Sequence, residues 1–167
     1  MDDAALYDLA ARLGAALKAR GLMLASAESC TGGWIGQAVT AVSGSSGWYD
    51  RGFIAYSNDA KRELLGVSAQ TLERDGAVSE AVVREMVLGA LAGSRTRVAV
   101  AVSGIAGPTG GTTAKPVGTV CLAWAGAGLE SAAVTRHFAG DREAVRRQTV
   151  EAALAGLLEL VQCGKTL

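Results

Sequence analysis

The run Ala27-Glu28-Ser29-Cys30-Thr31-Gly32-Gly33 sets three small nucleophile-type side chains between an apolar run (Leu22, Met23, Leu24, Ala25) and a helical pattern that includes Trp34, Ile35, Ala38, Val39 and Val42. Where a strand hands over to a helix, free backbone N–H groups and the positive end of the helix macrodipole favour a developing negative charge. Such a turn can serve as an anion pocket or as an oxyanion hole beside a nucleophile. A thiol is intrinsically the better nucleophile, so residue type alone leaves Ser29, Cys30 and Thr31 open.

A second polar cluster is Tyr56-Ser57-Asn58-Asp59-Ala60-Lys61. Tyr56 ends an expected strand, Asn58 reads as the cap of a short helix, and Lys61 falls in that helix's first turn. The positive end of the dipole disfavours an ammonium there, and burial would lower the lysine pKa further. A lysine made neutral in this way can take a proton from a serine hydroxyl, with a tyrosine relaying or orienting it. The same residues also suit a solvated helix lysine and an amphipathic edge tyrosine.

The elements that must position these groups follow from hydrophobic spacing. Leu6, Leu9, Ala10, Leu13, Ala16 and Leu17 recur at helical intervals, with Gly21 as a stop. A buried strand is expected at 22–27, an alternating strand from Arg51 to Tyr56, and a helix opening at Ser79. Val98 to Val102 reads as a strand covered on both faces. It leads into the Gly-rich loop Ser103 to Gly111. Val117 to Ala125 and Ser131 to Phe138 form an expected hairpin around Gly126-Ala127-Gly128, and Gly140-Asp141 opens a last helix to about Val161. Alternating strands and helices followed by a hairpin imply an α/β fold, a single three-layer α/β/α domain with a mixed β-sheet over residues 1–167.

Composition narrows the function classes. Lys plus Arg and Asp plus Glu both number 16, so the net charge is zero and the electrostatic footprint of a nucleic-acid binder is missing. No apolar run approaches the roughly 20 residues that cross a bilayer. Cys30, Cys121 and Cys163 are odd in number and without C-x-x-C spacing, which suits a reducing cytosol and a cytoplasmic protein. One histidine, His137, and scattered acids offer no metal-ligand set. His137 at a strand end is expected to be a surface residue and not the base of a triad. Gly164-Lys165-Thr166 resembles the end of a P-loop, but Glu159 stands where the first glycine should be. Gly104 to Gly111 lacks the dinucleotide-binding order, and neither a G-x-S-x-G elbow nor an S-x-x-K at Ser29 occurs.

Six blocks occur in order: Ala27 to Gly33; Tyr56-Ser57-Asn58 with Lys61; Gly76-Ala77-Val78-Ser79-Glu80; Ser103 to Pro108 with Gly110-Gly111; Lys115 to Val120; and Gly140-Asp141-Arg142. Together they closely resemble the CinA C-terminal domain family, over about residues 5 to 160. The resemblance implies hydrolysis of nicotinamide mononucleotide to nicotinate mononucleotide and ammonia, with Ser29, Tyr56 and Lys61 as the catalytic residues and no cofactor or metal. It also implies a homodimer, with a small-molecule substrate and neither nucleic acid nor membrane as partner. For such a substrate, backbone N–H groups in Cys30, Thr31, Gly32 and Gly33 would hold the oxyanion. Gly107, Thr109, Gly110 and Arg142 would receive the phosphate, with Arg146 a weaker candidate, and Asn58 joins the substrate-binding set. A non-catalytic nucleotide-binding module and an amidase for another carboxamide are the competing readings.

Overall fold

The computed structural model describes residues 1–126 and 129–163. Its elements are α1 (Asp3–Ala19), β1 (Leu24–Glu28), α2 (Trp34–Thr40), β2 (Tyr49–Ile54), α3 (Asn58–Leu65), α4 (Ala69–Asp75), α5 (Glu80–Ala92), β3 (Val98–Gly104), β4 (Thr119–Gly126), β5 (Leu129–His137) and α6 (Arg142–Cys163). The strands form one sheet in the order β2-β1-β3-β4-β5. β1 runs parallel to both β2 and β3, whereas β4 is antiparallel to β3 and to β5. The expected mixed sheet and hairpin are present. The Gly126-Ala127-Gly128 turn falls partly, and Gly164-Lys165-Thr166 wholly, outside the described residues.

The two faces of the sheet are built differently. Leu24, Val98, Val100, Val102, Val120 and Leu122 face α1, α2 and α6. Ala25, Ala27, Ala99, Ala101, Ala123 and Ala125 face α5 and the segment around α3. Small side chains on that second face let α5 settle close to the sheet, with Val82, Val83, Met86, Val87 and Ala90 buried against it. Burial of all five β1 residues marks it as an interior strand.

Three details depart from the sequence expectation. β2 lies two residues earlier than the Arg51–Tyr56 run, because its pairing with β1 starts at Leu24↔Tyr49 and ends at Glu28↔Ile54, leaving Tyr56 beyond the strand. Asn58 is not the cap of α3. Ser57 is, its Oγ accepting from the Ala60 N–H at 3.0 Å, and Asn58 is the first helical residue. α4 was not foreseen; its sequence carries little apolar periodicity, and Ser68 caps it.

Helix α3 reaches the core through a glycine. A Cβ added at Gly89 of α5 would run into the Leu65 carbonyl oxygen, so only glycine permits this approach of the two helices. Leu65 and Lys61 stand one turn apart on α3, and both are buried. Gly89→Ala is therefore expected to lower stability by about 1–3 kcal/mol through overpacking. Urea unfolding would read this loss.

Candidate active site

The three parallel strands end at one edge of the sheet, where crevices between strand ends and following turns commonly hold ligands. Ser29 directly follows β1, and its N–H donates to Val102 O of β3 at 3.0 Å. Ala55 follows β2, with its N–H on Glu28 O at 2.8 Å. Ser103 and Gly104 end β3. Around these ends lies a cavity of about 210 Å³ lined by Ser29, Cys30, Tyr56, Asn58, Lys61, Ala77, Val78, Ser103, Gly104, Ala106 and Arg142.

The shortest link across this cavity joins Lys61 to Ser29. Lys61 Nζ lies 3.0 Å from Ser29 Oγ and donates to Ala55 O at 3.2 Å. The lysine is only 1% exposed. Among the described residues no carboxylate is paired with it; burial pushes its pKa below the ordinary lysine range, partly opposed by Cys30. A neutral amine at this distance from a hydroxyl is placed to accept its proton.

Glu28 is buried beside these residues yet serves the opposite layer. Successive strand residues point to opposite faces, and its carboxylate turns under α2. There it accepts from Thr31 Oγ1 at 2.6 Å, from Gly33 N and Ile35 N at 3.0 Å each, and from Gly36 N at 2.9 Å. Gly33, at φ 102°, is the residue before the first helical turn and brings no capping side chain of its own. Glu28 supplies that cap. This corrects the expectation for the turn: the N–H groups of Gly33, Ile35 and Gly36 are committed to a carboxylate, and that of Trp34 to Thr31 O at 3.2 Å, instead of facing a substrate. The Gly32 N–H is also used, on Ser29 O at 3.1 Å. Among the described residues, the Cys30 and Thr31 amides make no hydrogen bond.

Two arginines from α6 frame the turn and the cavity mouth. Arg142 donates to Gly107 O at 2.9 Å and to Tyr56 Oη at 3.0 Å, joining the Gly-rich loop to the rim. Tyr56 is 59% exposed, and its hydroxyl meets Arg142; the lysine reaches Ser29 without it. Arg146 donates to Cys30 O at 3.1 Å and Thr31 O at 2.9 Å, and its guanidinium stacks over Trp34.

Of the residues singled out from sequence, Ser29, Cys30, Tyr56, Asn58, Lys61 and Arg142 come together around the cavity. Thr31, Gly32, Gly33, Gly107, Thr109 and Gly110 are not in its lining. The Thr31 hydroxyl is buried on Glu28, and Thr109 and Gly110 lie on the exposed loop. Ser103, Ala77, Val78 and Ala106 were not foreseen as cavity residues. Ser103 offered a signal, since it follows an apolar strand run just as Ser29 does; its Oγ donates to Ala77 O at 2.8 Å and ties the loop before α5 to the site. His137 lies at the end of β5 with Nδ1 3.3 Å from Thr119 Oγ1, outside the lining. Among the described residues, no group of three or more His, Cys, Asp or Glu side chains is arranged to hold a metal, and no helix is long and apolar enough to cross a membrane.

With this geometry established, known proteins provide the comparison. The family model described as the CinA C-terminal domain matches residues 6–161. The chain is 52% identical over 157 residues to nicotinamide-nucleotide amidohydrolase PncC of Escherichia coli (strain K12), covering 94% of this chain and 95% of the relative. It is 56% identical over 152 residues to the protein of the same name from Pseudomonas putida, covering 91% and 94%. The crystal structure of the competence/damage inducible protein CihA from Agrobacterium tumefaciens superposes with a TM-score of 0.91 at 45% identity, over 96% of each chain. A sheet of this order, a cavity at its parallel strand ends and sequence matches of this extent have one reading: the chain belongs to the CinA C-terminal domain family.

Proposed function

We propose that this protein is a nicotinamide-nucleotide amidohydrolase, converting nicotinamide mononucleotide and water to nicotinate mononucleotide and ammonia. The observation that carries the reading is the buried amine of Lys61, 3.0 Å from the Ser29 hydroxyl. Relatives more than half identical over nearly the whole chain, named for this activity, support the choice of substrate.

In the proposed sequence Lys61 takes the Ser29 proton while Oγ attacks the carboxamide carbon. The carbonyl oxygen becomes an oxyanion held by free amides of the Ser29 turn. The resulting ammonium of Lys61 then protonates the departing nitrogen, which leaves as ammonia. Water attacks the nicotinoyl ester with Lys61 again as base, and the acid is released with Ser29 restored. The cationic pyridinium of the substrate makes the carbonyl more electrophilic and disfavours a second positive charge on Lys61. A cavity of about 210 Å³ is smaller than the roughly 300–1,000 Å³ of typical ligand sites, so it suits the ring and carboxamide alone. Ribose and phosphate would then extend past the rim, toward Arg142 and Tyr56.

Ser29, and not Cys30, is the proposed nucleophile. Burial, reinforced by the Glu28 charge, pushes the Cys30 thiol up to about 12, and the side chain belongs to the core packed against α2 and α6. A protonated, packed thiol is a poor nucleophile. A homodimer acting in the cytoplasm completes the reading. It is supported by an apolar cleft of about 770 Å³ between β5 and the end of α6, lined by Trp124, Val134 and Leu160 among others. Sedimentation of a monomer at micromolar concentration would remove the dimer.

Ammonia release from purified protein given nicotinamide mononucleotide, nicotinamide, NAD or glutamine should be selective for the mononucleotide. Binding without release would instead identify a non-catalytic module. Ser29→Ala and Lys61→Met should each lower kcat roughly 10³-fold or more, and the double variant should be little worse than either, as groups acting as a unit behave. Cys30→Ala should keep most of the activity, and iodoacetamide at pH 8 should label exposed Cys163 well before Cys30.

The pH dependence has a fixed sign. The reactive amine is the deprotonated form, so kcat/KM should rise with pH along a limb centred below the ordinary lysine value of 10.5. Between the folded and unfolded pKa values of Lys61 the unfolded chain binds more protons, so this group adds stability as pH rises through that window. Lys61→Met should flatten that part of a plot of melting temperature against pH, and an unchanged slope would contradict a depressed pKa.

A further inference from the structure

We propose that Arg146 is a positioning residue that shapes the oxyanion hole, by holding the Cys30 and Thr31 carbonyls and, through the peptides they belong to, the Cys30 amide next to Ser29. This rests on the proposed serine amidohydrolase chemistry and extends it to a residue that never touches substrate.

The geometry follows peptide by peptide. In a trans peptide the N–H points away from the C=O. Arg146 Nε fixes Cys30 O at 3.1 Å, which turns the Thr31 N–H to the side opposite the guanidinium. A second arm of the same fork holds Thr31 O at 2.9 Å, which sends the Gly32 N–H back onto Ser29 O at 3.1 Å. That bond in turn sets the Ser29–Cys30 peptide and therefore the Cys30 N–H. One planar guanidinium thus determines three consecutive peptides after the nucleophile, and stacking on Trp34 limits its own movement. Glu28 works from below. By accepting from Gly33, Ile35 and Gly36 it anchors the end of the turn and withdraws those amides from the contest for substrate. What remains at the cavity is the Cys30 amide, the residue after Ser29 and part of the same lining, as a donor for an acyl-transfer oxyanion.

The competing role for Arg146 is phosphate binding, since a groove of about 690 Å³ beside α2 is lined by Arg142, Arg146 and Arg147. The two roles separate kinetically. Wild-type turnover of nicotinamide mononucleotide is measured first; no ammonia would mean that the functional reading has failed, and the inference with it. Given turnover, Arg146→Met should lower kcat roughly 10–100-fold with KM nearly unchanged, short of the 10²–10³ that outright loss of a donor costs. Arg146→Lys cannot bridge two carbonyls with a planar fork and should recover only part of the rate. Added guanidinium should restore kcat in Arg146→Ala without changing KM. Thermal melting of each variant identifies the folded fraction by which kcat is corrected. A rise in KM at constant kcat would make Arg146 a substrate-binding residue, and an unchanged kcat in the corrected Met variant would equally overturn the inference.

Discussion

The buried contact between Lys61 and Ser29 is the constraint around which the rest of this molecule is arranged. An isolated ammonium in a protein interior is strongly unfavourable, and the usual response is loss of the proton. Here two oxygens, Ser29 Oγ and Ala55 O, receive the amine, with no carboxylate partner to keep it charged. Such a contact survives only if α3 is held down firmly, which the alanine face of the sheet and the bare backbone at Gly89 achieve. Packing in the α3–α5 layer thereby becomes electrostatics at the strand ends. The fold does not merely carry the lysine; by burying it, it lowers the lysine pKa.

β1 serves two layers with two consecutive residues. Glu28 faces α2 and Ser29 meets α3, so a one-residue slip in register would exchange the carboxylate that caps α2 for the hydroxyl that meets Lys61. Register is fixed by pairing on both sides: Glu28↔Val102 on β3 and Glu28↔Ile54 on β2. A strand between two parallel neighbours is well suited to this task. The edge strand β2 contributes by way of Ala55 and Tyr56, just beyond its last paired residue.

Much of this was legible in the chain, and the failures have physical causes. Apolar spacing located the strands and major helices because burial on two faces leaves a continuous apolar run at Val98–Val102, and burial of one face leaves helical spacing along α1 and α5. The cluster at Ser29, Tyr56, Asn58, Lys61 and Arg142 was recognisable from motif order, which stands in for the tertiary proximity that spacing cannot supply. What the chain concealed was the use of its hydrogen bonds. Four donors converge on Glu28, and that convergence depends on the direction of α2. Likewise, the affinity of Arg146 for two carbonyls is set by helix docking across 115 residues of chain, and residue type alone suggests a phosphate ligand. Ser57 took the capping position from Asn58 because both side chains cap well and only the entry of the chain from β2 decides between them.

The adjacent serine and cysteine show how neighbours with similar chemistry are separated. If α2 directed unsatisfied amides at the turn, its dipole would stabilise a thiolate at Cys30, as helix N-termini do elsewhere. Glu28 cancels that field by occupying the amides, and its charge adds to desolvation in raising the thiol pKa. Meanwhile Lys61 contacts the serine oxygen directly. The thiol is thus pushed toward its protonated form by its surroundings, and the adjacent hydroxyl is the one in contact with the buried amine. Which of the two neighbours meets the amine is decided by the packing around the turn, not by the intrinsic order of nucleophiles.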